Sequence, residues 1–177
     1  RKQASDLRAQ RRRTAHDVHV EASTVRPWVL LETLDELLEQ RGGATIMIEQ
    51  YALPIASMAG LGESGQNTYM YVAGGSEGYG VGGSIGLKLG APEQRVVGLV
   101  GDGSLYYSDS GLWTASHHRI PLLFVVPNNR SYGTVAGAFG GVDGNMTRTG
   151  EYAGVVLDGI DPSKLAEGYG MESMTVG

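Results

Sequence analysis

The sequence predicts an α/β domain built on a parallel sheet with helices on both faces. Short apolar runs at 44–48, 69–72, 96–100 and 122–126 have the length of buried strands. Helix-length segments separate them, which is the alternation of a crossover-connected parallel sheet. Each run ends in polar or turn-forming residues: Glu49, Ala73-Gly74-Gly75, Gly101-Asp102-Gly103 and Asn128-Asn129. Ligands of such sheets sit just beyond the carboxyl ends of the strands, so these residues are the first candidates for a site.

The elements follow in order. Residues 1–13 read as the end of a charged helix and 14–25 as a linker, so 1–25 is expected to be the tail of a preceding domain. Residues 26–177 are expected to form the domain proper. Pro27 suits a first helical position, Val29, Leu30, Leu34, Leu37 and Leu38 recur at helical spacing, and Gly42-Gly43 closes the helix. The run 96–100, a Gly-Asp-Gly turn, a helix over 105–118 with Leu112 and Trp113 on its packed side, and the run 122–126 make one βαβ unit. Its strands run parallel and end on the same edge. The glycine-rich stretch 137–150 reads as a mobile loop.

A chain of 177 residues suffices for one domain with its own core. A hydrophobic fraction of 41% with 19% charged residues is that of a globular protein. The net charge of −5 gives no basic footprint for nucleic acid, and no apolar run could span a membrane. The absence of cysteine rules out disulfides and thiolate chemistry and fits a reducing compartment, with the cytoplasm as the default. His16 and His19 lack acidic partners, and His117-His118 at a helix end need no role beyond solvent exposure. Trp28 and Trp113 are expected to be packing residues.

Asp102 and Asn129 emerge at neighbouring strand ends and offer two hard oxygen donors. Magnesium takes about six oxygens and completes its shell with carbonyls, water and phosphates, so an incomplete protein cage suits a diphosphate-bridging ion. Gly101 and Gly103 let the backbone approach phosphates closely, and Ser104 could donate its hydroxyl or cap the following helix.

Gly101-Asp102-Gly103, 24 further residues and Asn128-Asn129 together resemble the signature of thiamine-diphosphate enzymes. The stretches 73–97, 101–135 and 159–173 resemble benzoylformate decarboxylases and other 2-keto-acid decarboxylases, so the likeness covers most of 26–174. The resemblance implies the thiamin-diphosphate-binding fold, with thiamine diphosphate and Mg2+ as cofactors. It implies metal ligation by Asp102, Asn129 and the backbone oxygen of Ser131. It makes Gly75 the carbonyl that meets the aminopyrimidine, within a cofactor loop that includes Ser76 and Glu77. Tyr132 and Gly133 frame the diphosphate, and Thr134, Val135 and Ala138 (or Phe139, one residue on) face the substrate. At the position of Glu77 the family carries a bulky apolar residue that bends the cofactor, so this carboxylate departs from the pattern.

The family's activating glutamate belongs to a pyrimidine-binding domain of the same or a neighbouring subunit, and Glu49 does not correspond to it. No catalytic residue is therefore expected in this chain, which alone is expected to be inactive. The resemblance also implies a small 2-keto acid as substrate, a homo-oligomer, and a chain that stops before the last helix and strand. An acetolactate-synthase-like or benzaldehyde-lyase-like enzyme is an alternative within the class. Gly78-x-Gly80-x-x-Gly83, with Asp102 about twenty residues on, formally matches a dinucleotide-binding dehydrogenase. A non-catalytic member of the family is a third reading, prompted by Glu77.

Overall fold

The computed structural model describes residues 24–49, 65–71 and 76–176. The expectations for residues 1–23, for Ala73, Gly74 and Gly75, and for the Trp28 side chain fall outside them. Helix α1 (Pro27–Glu39) opens on Pro27 as its sequence predicts. Its inward stripe is the buried Leu31 and Leu38 with the partly buried Leu34, while Leu37 is 43% exposed. Leu31, not Leu37, is therefore the inward residue of the helix. Gly42 and Gly43 end it in left-handed conformations, and the Gly43 N–H returns to the Leu38 carbonyl at 2.9 Å.

Four strands form one parallel sheet: β1 (Thr45–Ile48), β2 (Thr68–Tyr71), β3 (Val96–Leu99) and β4 (Leu123–Val125), in the order β2-β1-β3-β4. Thr45 stands beside Thr68 and Val96, and Val97 beside Leu123. The central strands β1 and β3 are buried throughout, whereas β2 and β4 at the edges are partly exposed.

Side chains alternate across the pleat. Ile46, Ile48, Val97 and Leu99 pack beneath α1 on one face. Val100 and Phe124 meet the opposite layer, made of α2 (Tyr79–Gly90), α3 (Asp102–Leu105), α4 (Ser110–His117) and α7 (Pro162–Gly168). Helices thus cover both faces. Gly98 permits the second layer to lie close, because a Cβ there would stand 2.6 Å from both the Phe124 ring and the Ser84 hydroxyl. The buried stem of Lys88 ends α2 by donating from Nζ to the carbonyls of Pro92 and Gln94 at 2.7 and 2.6 Å.

Asn67, 3% exposed, ties α1 to the sheet. Its Oδ1 accepts from Ala44 N–H at 3.0 Å, and its Nδ2 donates to the carbonyl and carboxylate of Asp35 at 2.9 and 2.8 Å. The Tyr69 hydroxyl donates to the same carboxylate at 2.6 Å, and burial with this bond pushes the phenol well above its usual range.

Three expectations are corrected. The single helix over 105–118 is two, α3 and α4, broken at residues 106–109. The chain turns there instead, with Tyr107 N–H donating to Ser104 O and Ser108 N–H to Leu105 O. On α4, Leu112 and Ala115 face inward, and Trp113 is 51% exposed, stacked on His117 at 4.7 Å. The stretch 137–150 is not one loop. It continues α5 (Gly133–Gly140) and contains α6 (Asn145–Thr149), tied by the Thr147 hydroxyl to the carbonyls of Phe139 and Val142. No helix among the described residues is long and apolar enough to cross a membrane.

Candidate functional site at the carboxyl edge of the sheet

The chain reverses direction between β1 and β3: β1 leads outward to β2, while β3 leads the other way to β4. The crevice at such a switch point is where open parallel sheets bind ligands. Backbone pairing continues past the strands there. Glu49 N–H donates to Leu99 O at 3.1 Å, Val100 N–H to Val125 O at 3.1 Å, and Asp102 N–H to Pro127 O at 3.3 Å. Asp102 therefore lies beside Pro127, two residues before Asn129, at one edge of the sheet.

Asp102 is 3% exposed, and its Oδ2 is buried without a hydrogen-bond partner. A buried carboxylate oxygen left unpaired is costly unless a cation completes it. Its charge is felt nearby. Burial first, and Asp102 second, push the Tyr106 phenol up to about 12, and Asp102 also contributes to raising Tyr132.

The loop after β4 is held by two side-chain turns. Asn128 Oδ1 accepts from Arg130 N–H at 3.1 Å and Asn129 Oδ1 from Ser131 N–H at 2.9 Å. Arg130 adopts a left-handed φ of 54° between them. An antiparallel bridge of Ser131 with Val156 pins the loop through Tyr132 N–H to Val155 O (2.8 Å) and Leu157 N–H to Arg130 O (2.9 Å). The Ser131 carbonyl takes no part in those bonds. Asn129 is exposed and Ser131 half-buried. The Tyr132 ring covers Gly103, where a Cβ would approach it to 2.6 Å, so the loop folds back over the Asp102 turn. The amide of Gly133 follows at the start of α5, which buries none of its residues: Thr134, Val135, Ala138 and Phe139 are all exposed.

Among the described residues no group of three or more His, Asp or Glu could hold a metal. An ion at Asp102 must then draw on amide, carbonyl and ligand oxygens, which is how magnesium is bound beside phosphates. The partnerless Oδ2 and the Ser131 carbonyl, which accepts no backbone bond from the described residues, fit such an ion.

Ser104 does not cap a helix, because it lies within the single turn of α3. Its hydroxyl donates to Glu77 Oε2 at 2.7 Å. That bond joins the turn that carries Ser76 and Glu77 to the Gly101–Ser104 turn, and Gly78 packs against Tyr107 from the same side. Tyr107 in turn meets Tyr132 edge-on at 5.9 Å. Sequence reasoning missed Tyr107 because its neighbours come from two distant turns.

Glu49 has an internal task. One percent exposed, it accepts hydrogen bonds from the amides of Gly78, Tyr79 (3.1 Å) and Gly80 (2.7 Å), the opening turn of α2. Burial raises its pKa, the three amides oppose that, and the Glu77 charge adds to it. This arrangement overturns the dinucleotide reading. The amides that Gly78-x-Gly80 would offer to a pyrophosphate are taken by the chain's own carboxylate. An acid at a strand end followed by glycines at a helix start was the available signal.

A groove of about 700 Å³ runs along the glycine side of α2, lined by Met47, Met70 and Leu87, and a polar one of about 440 Å³ lies at the opposite edge of the sheet beside Arg41 and Arg95. At the carboxyl edge the described residues leave Asn129 and most of α5 exposed.

The family model described as "Thiamine pyrophosphate enzyme, C-terminal TPP binding domain" matches residues 51–177. A benzoylformate decarboxylase of Pseudomonas aeruginosa is 28% identical over 154 residues, which is 87% of this chain and 28% of that protein. The solved thiamine diphosphate-dependent 4-hydroxybenzoylformate decarboxylase of Rhodococcus jostii is 31% identical with a TM-score of 0.71, over 90% of this chain and 29% of that one. The benzoylformate decarboxylase of Polynucleobacter necessarius is 26% identical with a TM-score of 0.66, over 88% and 29% respectively. The chain spans less than a third of the length of each of these relatives.

Proposed function

The chain belongs to the thiamine pyrophosphate enzymes, as their C-terminal cofactor-binding domain, and from that premise we propose that it holds the diphosphate through Mg2+ in an enzyme that decarboxylates a 2-keto acid of the benzoylformate type. The partnerless, buried Oδ2 of Asp102 carries the reading. Asp102, Asn129 and the Ser131 carbonyl are the metal ligands of this proposal. Gly101 and Gly103 admit the phosphates, and Tyr132 and Gly133 frame them. Gly75 and Ser76 belong to the loop that meets the aminopyrimidine.

When bound, thiamine pyrophosphate supplies the carbon nucleophile and the electron sink for the bond to the departing carboxylate. The chain's own residues bind and orient it. The Tyr132 loop closes over the Asp102 turn and limits water at the ion, and α5 offers the substrate an apolar, uncovered face at Thr134, Val135 and Ala138. The exposure of Asn129 and α5 supports a further element of the reading. A pyrimidine-binding domain, from the same or a neighbouring subunit of a homo-oligomer, completes the site and brings the activating glutamate. The chain by itself then has no turnover. A reducing, cytoplasmic compartment is compatible with the cysteine-free sequence.

Thermal unfolding with thiamine pyrophosphate and magnesium, together and separately, tests the binding. Stabilisation only by the pair is expected, and equal stabilisation without a divalent ion would sink the assignment.

A further inference from the structure

We propose that Glu77 is the counter-charge for the positively charged ring of the bound cofactor, held in place for that purpose by Ser104. The inference rests on the thiamine pyrophosphate reading and adds a role that the cofactor class does not supply. Among the described residues, Glu49, Glu77 and Asp102 are the acids at the strand ends and turns of this edge of the sheet. Glu49 is consumed by the three amides of Gly78, Tyr79 and Gly80. Asp102 is assigned to the metal ion. Glu77 remains, half-buried, with one hydroxyl donor and no ion pair with a lysine or arginine among the described residues.

A half-buried carboxylate beside another buried acid and a diphosphate is unfavourable unless a cation faces it. In the proposed site the magnesium ion would be taken up by Asp102 and the phosphates. The remaining cation that a thiamine cofactor brings is its thiazolium ring, whose charge is permanent. The Ser104 bond fixes the carboxylate between the turn at 76–78 and the Asp102 turn, which gives it one orientation toward whatever lies between them. Glu77 is thus a specificity-determining residue, selecting a cationic ring over a neutral one at the same diphosphate.

The test measures affinity by calorimetry in the presence of magnesium. Thiamine pyrophosphate is compared with an analogue of the same diphosphate whose five-membered ring is uncharged, and with inorganic pyrophosphate. The purified protein is compared with Glu77→Gln, which keeps the shape and the Ser104 acceptor but not the charge, and with Glu77→Leu. The wild type is expected to prefer the charged ring, and Glu77→Gln to reduce that preference by about tenfold, as for a part-buried pair of unit charges. Affinity for pyrophosphate is expected to stay the same or rise in both variants. An unchanged preference in Glu77→Gln overturns the proposal alone. A parallel loss of pyrophosphate affinity overturns it in favour of Glu77 as a metal ligand. If the folded wild type binds neither cofactor nor analogue, the cofactor reading fails and this proposal with it.

Discussion

The ring of Tyr132 lies flush on the backbone of Gly103, with no space for even one added carbon between the loop that follows β4 and the turn that follows β3. Gly103→Ala is therefore expected to cost about 1–3 kcal/mol in urea unfolding, as overpacking does. Much of that cost should vanish in a Tyr132→Leu background, since residues in contact couple. Additive costs for the two substitutions would show that the contact does not govern the loop.

Asp102→Ala separates stability from binding. It removes a buried carboxylate whose Oδ2 has no partner, so the cofactor-free protein should be unchanged or more stable by about 1–2 kcal/mol. The joint stabilisation by thiamine pyrophosphate and magnesium should disappear. Scanning fluorimetry with and without both ligands checks this, and a marked drop in the ligand-free midpoint would count against it.

Glu49 predicts a pH dependence. Burial holds its carboxyl above the ordinary value near 4.5, so the folded chain binds that proton more tightly than the unfolded one. The contribution is fully present below about pH 4.5 and is lost as pH rises through the folded value. Glu49→Gln cannot titrate and leaves one amide facing an NH2 group, a constant cost. The stability difference between wild type and variant should therefore be larger at pH 5 than at pH 8 in urea titrations. The opposite slope would mean that the three amides outweigh burial.

Asn67→Ala should be among the more damaging substitutions away from the site. It strips the partner from the Ala44 amide and two donors from Asp35, for an expected loss of about 2–3 kcal/mol. Asn67→Asp should cost more, because it sets a carboxylate against that of Asp35. Chemical unfolding of both variants gives the order, and a milder effect from Asp would refute this account.

Much of the architecture was legible in the chain itself. Runs of four or five apolar residues with helices between them imply a parallel sheet, and that topology alone brings Asp102 and the residues before Asn129 to one edge. The packed side of a helix was less legible. Leu37 and Trp113 fit helical spacing yet face outward, since periodicity fixes a stripe only to within a residue or so. The helix over 105–118 breaks into turns at residues 106–109, which a pattern of apolar residues does not register.

Local pattern and crossover topology thus determined the sheet and the edge at which Asp102 and the loop carrying Asn129 lie, because these depend on neighbours in sequence and on a single chain direction. Only the tertiary structure decided that Glu49 fills the amides of α2, that Ser104 serves Glu77, and that Tyr132 closes on Gly103. Each of these joins residues 27 to 31 positions apart through side chains whose reach depends on how two layers pack, which local spacing does not fix.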